Sequence, residues 1–378
     1  MDMLLTRRET LRMLTASGVA ASTLGLISNA QVVSSTPATA LSMPGLHKGK
    51  VVAVRDPRSY VGGAFQQEPI QAMIRRGMIE LTGAPDWQSA WRKFFDKSDV
   101  VGVKFNPVGR PAVVGSREVF NEIFAGLEAC GIPRKNIVAY DRYRSEFFAA
   151  GFDKWLPEGV RIMWAAEGYE EFQMDIAGYD PDHYFDIPLT TPGYPMTNPR
   201  NRRSHAAKFI TQEVSKLVNV PLLKDHASAG VTLALKNLSH GFVNNVFRSH
   251  STRTLNACGA FIPAAVSIPA IRNKAVLHIL DGIKAMYHDG PQGVKAYGEN
   301  KHVFEHHTMY FATDAVALDT VCAPEVDKAR LARGYKSVAE TVDPGFVRRQ
   351  PEHIEIAGAL GLGESDPKKI KTVRVELT

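Results

Sequence analysis

The sequence predicts an α/β protein with a mostly parallel central sheet, flanking helices and a Pro-rich insertion. Three observations carry that reading. Between Lys50 and Asp141, short β-rich runs alternate with helical patterns in the order β-α-β-α-β, the order of a parallel sheet with crossover helices. One of these runs, Asp99–Asn106 (DVVGVKFN), is nearly all apolar, as befits a strand covered on both faces. After an aperiodic stretch the alternation resumes and continues to a closing β-rich run.

Taken in order, Lys50–Arg55 (KVVAVR) reads as the first strand. From Glu68 to Leu81 the spacing is helical, with Ile70, Met73, Ile74 and Met78 on one side. Asp86–Asp96 reads as a second helix with Asp86 as its N-cap. The third helix, Ser116–Cys130, is stopped by Gly131 and Pro133, and the strand Asn136–Asp141 (NIVAYD) follows. Val160–Ala165 adds another strand. Residues 167–205 hold Pro181, Pro188, Pro192, Pro195 and Pro199 with little periodicity, so an insertion is expected there, in a position to act as a lid. Beyond it, Glu213–Leu223 contains a strand, and Ala275–Leu280 (AVLHIL) and Thr308–Thr313 (TMYFAT) are two more. A helix from about Ala315 to Ala332, a short helix Glu352–Leu360 and the strand Ile370–Leu377 complete the chain, with no internal repeat.

The first residues read differently. Arg7 and Arg8 are followed by Leu11 and Arg12 at the spacing of a twin-arginine signal, with Thr10 where Phe is usual. No charged side chain occurs from Met13 to Leu46, yet the most apolar part, Met13 to Ile27, falls short of the roughly 20 apolar residues that span a bilayer. It reads as the apolar region of a signal, with Ala38-Thr39-Ala40 or Ser28-Asn29-Ala30 as the small-residue cleavage site. The expectation is a twin-arginine signal peptide over residues 1–40 and a single α/β domain over 41–378. Such a protein is periplasmic or otherwise exported, meets the twin-arginine translocase during export, and is not a stable membrane protein after cleavage.

With 44% hydrophobic and 22% charged residues the composition is that of a globular chain and excludes general disorder. Residues 1–40 hold Arg7, Arg8 and Arg12 against Asp2 and Glu9, so +5 of the formal +6 belongs to the rest, a mild excess spread along the chain. The densest basic cluster, Arg200-Asn201-Arg202-Arg203, is too short to argue for nucleic acid, and none is expected as a partner. Cys130, Cys258 and Cys322 form no CxxC and are too few for a self-contained 4Fe-4S cluster. They read as three small buried side chains, with one disulfide as the alternative. His302-Val-Phe-Glu305-His306 has the spelling of an inverted zinc-peptidase motif. It runs straight into TMYFAT, however, where a strand or loop would deny it the helix that chemistry needs. Glycine-rich nucleotide loops and the G-x-S-x-G elbow are missing.

Polar groups collect just after the predicted strands, where open α/β sheets bind ligands. Lys104 and Asn106 end one strand; Lys224, Asp225 and His226 end another; Asp281 and Asp314 end two more. Between them, a helical reading of Gly230–Gly241 stacks Thr232, Lys236 and His240 four apart on one face, beside Asn237. Two chemistries fit. Asp281, Asp314, His226 and His240 are carboxylate and imidazole donors suited to a divalent metal. Alternatively Lys104, Lys224 and Lys236 hold a small anion, and a lysine desolvated beside other cations acts as base or nucleophile. Plainer roles are also open: Asp314 as a helix cap, Asp319 as a contact to its neighbours.

At these same positions the chain resembles the domain of unknown function 362 family. The matching stretches are Val101-Gly-Val-Lys-Phe-Asn106, Val218-Asn-Val-Pro-Leu-Leu-Lys-Asp-His226 and Gly230-Val-Thr-Leu-Ala-Leu-Lys-Asn237. They continue with Gly241, Asp281-Gly282, Thr313-Asp-Ala-Val-Ala-Leu-Asp319 and Gly361-Leu-Gly363, in order over most of the chain after residue 40. The resemblance implies a shared residue set: Lys104, Asn106, Lys224, His226, Lys236, Asn237, Asp281, Asp314 and Asp319. It implies no settled activity. Some relatives carry ferredoxin-type modules and are described as iron–sulfur proteins, and this chain lacks their cysteine repeat. Three functions remain in view: an exported enzyme acting on a small anionic substrate with metal or lysine assistance, a periplasmic metal- or ligand-binding accessory protein of a redox system, and a non-catalytic structural or interaction protein.

Overall fold

A computed structural model describes residues 37–170, 172–251, 256–291, 302–340 and 351–378. The twin-arginine motif and the Ser28-Asn29-Ala30 site lie outside the described residues. Residues 38–40 are exposed, with the Ala38 N–H reaching Asn273 Oδ1 at 3.4 Å, whereas Ser42 and Met43 are buried and Met43 N–H bonds the Arg272 carbonyl at 3.0 Å.

The strands are β1 (Lys50–Arg55), β2 (Tyr60–Val61), β3 (Ala64–Phe65), β4 (Val101–Lys104), β5 (Ile137–Tyr140), β6 (Arg161–Met163), β7 (Tyr179–Asp186), β8 (Arg203–Ala207), β9 (Lys216–Asn219), β10 (Leu222–His226), β11 (Gly230–Val231), β12 (Ala275–Met286), β13 (Val303–Ala312) and β14 (Lys371–Glu376). The helices are α1 (Gln67–Thr82), α2 (Trp87–Trp91), α3 (Arg117–Ala129), α4 (Arg144–Ala149), α5 (Pro199–Arg202), α6 (Leu233–His240), α7 (Cys258–Val266), α8 (Pro269–Lys274), α9 (Ala315–Leu331) and α10 (Glu352–Ala359).

The main sheet runs β14-β1-β13-β12-β9-β4-β5-β6. All its neighbours pair in parallel except β13, which is antiparallel to both β1 and β12. The predicted mostly parallel α/β sheet is therefore present. Strand β1 explains why two helical layers form: Val51 and Ala53 enter one core, and Val52 and Val54 enter the other. The second core holds Ile70, Met73, Ile74 and Met78 of α1, the face read from the sequence, together with Trp91 and α3. The first holds the apolar residues of α6, α7 and α9.

Two elements depart from expectation. The helix predicted over Asp86–Asp96 ends at Trp91, although Asp86 does cap it by accepting the Ser89 N–H at 2.7 Å. Trp91, Phe94 and Phe95 are all buried, and the tightened turn after Trp91 lets the adjacent Phe94 and Phe95 both reach the core. The single strand expected in Glu213–Leu223 is two, β9 and β10, because Pro221 has no N–H for a ladder. Its carbonyl instead accepts the Asp281 N–H at 2.9 Å, so β12 pairs first with β9 and then with β10. That step carries Lys224, Asp225 and His226 past the end of β9.

The Pro-rich stretch forms an antiparallel pair, β7 with β8, and is anchored rather than loose. Phe185 meets Phe261 of α7 edge-on at 5.0 Å, and the buried Arg248 donates to the Leu189 carbonyl at 2.7 Å and to Ser204 Oγ at 2.9 Å. Only its first part reaches the site described below. Close packing elsewhere is testable: a Cβ on Gly126 of α3 would lie 2.1 Å from the ring of buried Trp91. Gly126→Ala is expected to cost about 1–3 kcal/mol through overpacking, read as a lower urea midpoint at unchanged slope.

Candidate functional site

A cavity of about 210 Å³ opens where β4, β5 and β10 end. Lys104, Asn106, Lys224, His226, Lys236, Asn237 and His240 all line it. These are every sequence-predicted catalytic residue, His226 among them also a predicted metal ligand, plus a second predicted ligand, His240. Strand ends supply the first four. The other three come from α6, whose entry is unusual: Leu233 has φ of +43°, and the N–H groups of Ala234 and Leu235 are received by the buried Asp319 carboxylate of α9 at 2.7 and 2.9 Å. Asp319 thus fixes the helix that bears the site. Lys236 and His240, four apart on α6, both face the cavity, and Thr232 lines it from just before the helix, which starts at Leu233 and not at Gly230 as the spacing predicts.

The lysines differ in their partners. Lys104 pairs with Asp141 at the end of β5. Gly241 makes room for it, because a Cβ there would lie 2.4 Å from Lys104 Cε. Lys224 donates to Asn106 Oδ1 at 3.1 Å and to the Val108 carbonyl. Asn106 in turn donates to Asn237 Oδ1 at 3.1 Å, and Asn237 to Asn219 Oδ1 at 2.7 Å, so a buried amide chain braces Lys224. Lys236 is buried, and its ammonium makes no hydrogen bond or ion pair with another described residue. One turn earlier the buried Thr232 hydroxyl also lacks a hydrogen-bond partner among them.

Burial draws all three ammonium groups down. Lys224 falls to about 7, with the charges of Lys236 and Lys104 adding to burial. Lys236 falls to about 8, burial being opposed by Cys258. Against these lysines and Arg142, the lining offers Asp141, committed to Lys104, and Glu146, committed to Arg110. The cavity is therefore electropositive.

The predicted metal set does not assemble. Asp281 is buried but does not line the cavity; it accepts N–H groups from Ile283 at 3.1 Å and Ser116 at 3.5 Å, and burial raises it to about 6. Asp314 takes four backbone N–H groups, from Gly49 at 3.0 Å, Glu364 at 2.9 Å, Val316 at 3.0 Å and Ala317 at 2.9 Å. Its lone pairs are spent on capping α9 and joining both ends of the chain. His226 Nδ1 accepts from the N–H groups of Ser228 at 3.1 Å and Ala229 at 3.3 Å. Its proton then sits on Nε2, which makes the ring a hydrogen-bond donor and not a metal ligand. His240 alone keeps that role, with neighbours the sequence did not suggest: its ligand atoms and those of His250 and Cys258 lie within 4.8 Å of one another.

Sequence reading also passed over Asp141, Arg142, Tyr143, Tyr169, Gln173 and His250, all in the lining. Asp141 follows β5 as Lys104 closes β4, so the strand-end rule had the signal. His250 follows a short 3-10 turn, and no periodicity marks it. After a turn at His302 the segment Val303–His306 is strand, one of the two states expected, and His306 bonds Tyr310 OH at 2.6 Å. His306 and Tyr310 line a separate groove of about 480 Å³ over β1, β13, β14 and α9, which none of the predicted site residues reach. The cysteines are free: Cys258 and Cys322 are buried and Cys130 is half-buried. Among the described residues no helix is long and apolar enough to cross a membrane.

Residues 167–324 match the family model described as domain of unknown function (DUF362). That span runs from the Pro-rich pair to α9 and contains Lys224, His226, Lys236, Asn237, His240, Asp281, Asp314 and Asp319. Lys104, Asn106 and Gly361-Leu-Gly363 fall outside it. No curated protein sequence matches the chain.

Proposed function

We propose that this chain is an exported enzyme acting on a small organic anion, a carboxylate or a phosphate ester. It is held at the ends of β4, β5 and β10 as one α/β domain over residues 41–378, freed from a twin-arginine signal after Ala40. The observation that carries the reading is the pair Lys236 and Thr232 in the cavity lining: an ammonium on a buried residue with no ion pair to a described residue, and the buried hydroxyl of the residue that precedes α6, with no hydrogen-bond partner among them. Buried polar groups are nearly always hydrogen-bonded, and leaving them unmade is costly. An anion supplies both missing acceptors. Lys236 anchors it, and Lys224, held by Asn106, exchanges a proton with it near neutral pH.

The test is calorimetric titration of the mature protein with inorganic phosphate and with small mono- and dicarboxylates, from pH 6 to 9. Lys224 at about 7 and Lys236 at about 8 carry their protons below those values and lose them above. Affinity is therefore expected to be highest near pH 6 and to fall as pH rises through about 7 to 8, with proton uptake on binding in that window. Without ligand the sign is opposite for stability. Both lysines bind fewer protons folded than unfolded from their lowered values up to about 10.5, so their penalty is full below 7 and is relieved as pH rises. Anions that bind equally at pH 6 and 9, or none that bind, would sink the proposal. Turnover of a bound anion that is lost in Lys224→Met separates an enzyme from a ligand-binding accessory protein.

A further inference from the structure

We infer that His240, His250 and Cys258 form a binding site for a thiophilic metal ion, Zn²⁺ in the first instance, in the inner wall of the cavity. Three elements converge there: the last residue of α6, the residue after the 3-10 turn Phe247–Ser249, and the first residue of α7. Their ligand atoms lie within 4.8 Å of one another. Tetrahedral zinc with bonds of about 2.0–2.3 Å holds its donors roughly 3.3–3.8 Å apart, so about 1 Å of side-chain movement closes the site. Two imidazoles and one thiolate suit a d¹⁰ ion better than they suit Mg²⁺ or Ca²⁺, which take oxygen.

The surroundings favour the same reading. In this structure the Ser249 hydroxyl lies between the rings, 3.1 Å from His240 Nε2 and 2.6 Å from His250 Nδ1. It stands where an ion would draw the two rings together. Ser239 Oγ is 3.0 Å from His240 Nδ1, the outer contact that orients a ligating histidine through its second nitrogen. Independently, α10 packs against α7 and buries His353 with neither ring nitrogen hydrogen-bonded. Its ring feels the charge of Lys236, as do His240, His250 and Cys258. Three protein ligands leave a fourth position, and the cavity side of His240 and His250 turns it towards the bound anion. The site itself needs no anion, so it stands or falls apart from the preceding proposal.

The experiment is titration of the metal-stripped mature protein with Co²⁺, without added anion. We expect one Co²⁺ per chain with intense tetrahedral visible bands and a near-ultraviolet thiolate-to-cobalt charge-transfer band, both abolished by stoichiometric Zn²⁺. Cys258→Ser is expected to lose the charge-transfer band and weaken Co²⁺ binding at least tenfold, while Cys322→Ser keeps both. His250→Gln, which leaves the thiol in place, is expected to weaken binding similarly and to remove the thermal stabilisation that Zn²⁺ gives the parent protein. That measurement decides the matter if Cys258→Ser fails to fold. Metal analysis of protein purified without chelator distinguishes zinc from copper(I), and either supports the site. A pale octahedral cobalt spectrum, or a charge-transfer band that survives in Cys258→Ser, overturns it.

Discussion

Asp314→Ala is expected to destabilise the protein by about 3–5 kcal/mol, the cost of removing one side of a buried, charge-assisted hydrogen-bond set. The Asp314 carboxylate is fully buried and receives four backbone N–H groups from three separate parts of the chain: Gly49 before β1, Val316 and Ala317 in the first turn of α9, and Glu364 after α10. Burial raises its pKa and those N–H groups oppose the rise. Alanine would leave all four donors buried or only partly wetted. The surrounding chain is built around the carboxylate, since a Cβ on Gly363 would lie 2.0 Å from Asp314 Oδ1. This accounts for Gly361-Leu-Gly363, too short for a phosphate loop: its second glycine gives Asp314 space. Asp314→Asn keeps the shape and the acceptor for α9 and should cost less. Urea unfolding of both variants checks the order. If Asp314→Ala instead loses bound metal at unchanged stability, the carboxylate is a ligand and its capping role is secondary.

Lys236→Met is expected to act in the opposite sense on stability and to remove function. Methionine fills nearly the same volume without a charge, so relief of an unpartnered buried ammonium should stabilise the ligand-free protein by about 1 kcal/mol or more. Anion affinity should fall at least about thirtyfold, about 2 kcal/mol, because a buried charge is lost from a charge-assisted contact. Raised melting temperature with lost anion binding is the signature of a residue kept for a ligand. A variant that is less stable, with anion binding unchanged, would make Lys236 a structural residue. Thr232→Val tests the neighbouring hydroxyl, with a smaller expected loss because only a neutral donor disappears.

These two residues divide what could be read from one dimension. The strands near Lys50, Val101, Ile137 and Ala275, and the helices after Gln67 and Arg117, were legible because period 2 and period 3.6 are local properties of a chain. The lysines were legible for a related reason: parallel strands place their C-terminal residues at one edge, and Lys104 at the end of β4 and Lys224 on β10 both come to the cavity there. The face of α6 followed from spacing alone.

The roles of the carboxylates were not legible. Asp281 and Asp314 also read as strand ends, although β12 runs on past Asp281 to Met286, and nothing local distinguishes them from Lys104. What separates them is the chain packed opposite. Asp314 meets Gly49 and Glu364, 265 and 50 residues away in sequence, whose N–H groups take its oxygens, whereas the Lys236 ammonium faces the cavity without an ion pair to any described residue. His250 and Cys258 were missed for the same reason, since they join His240 only through the packing of α7 beside α6. The sequence by itself therefore determined the α/β class, the helical faces and the lysine-bearing edge. Only the tertiary structure decided which polar groups were already satisfied by distant backbone and which were left for a ligand, because hydrogen-bond satisfaction depends on whatever packs across, however far away in the chain.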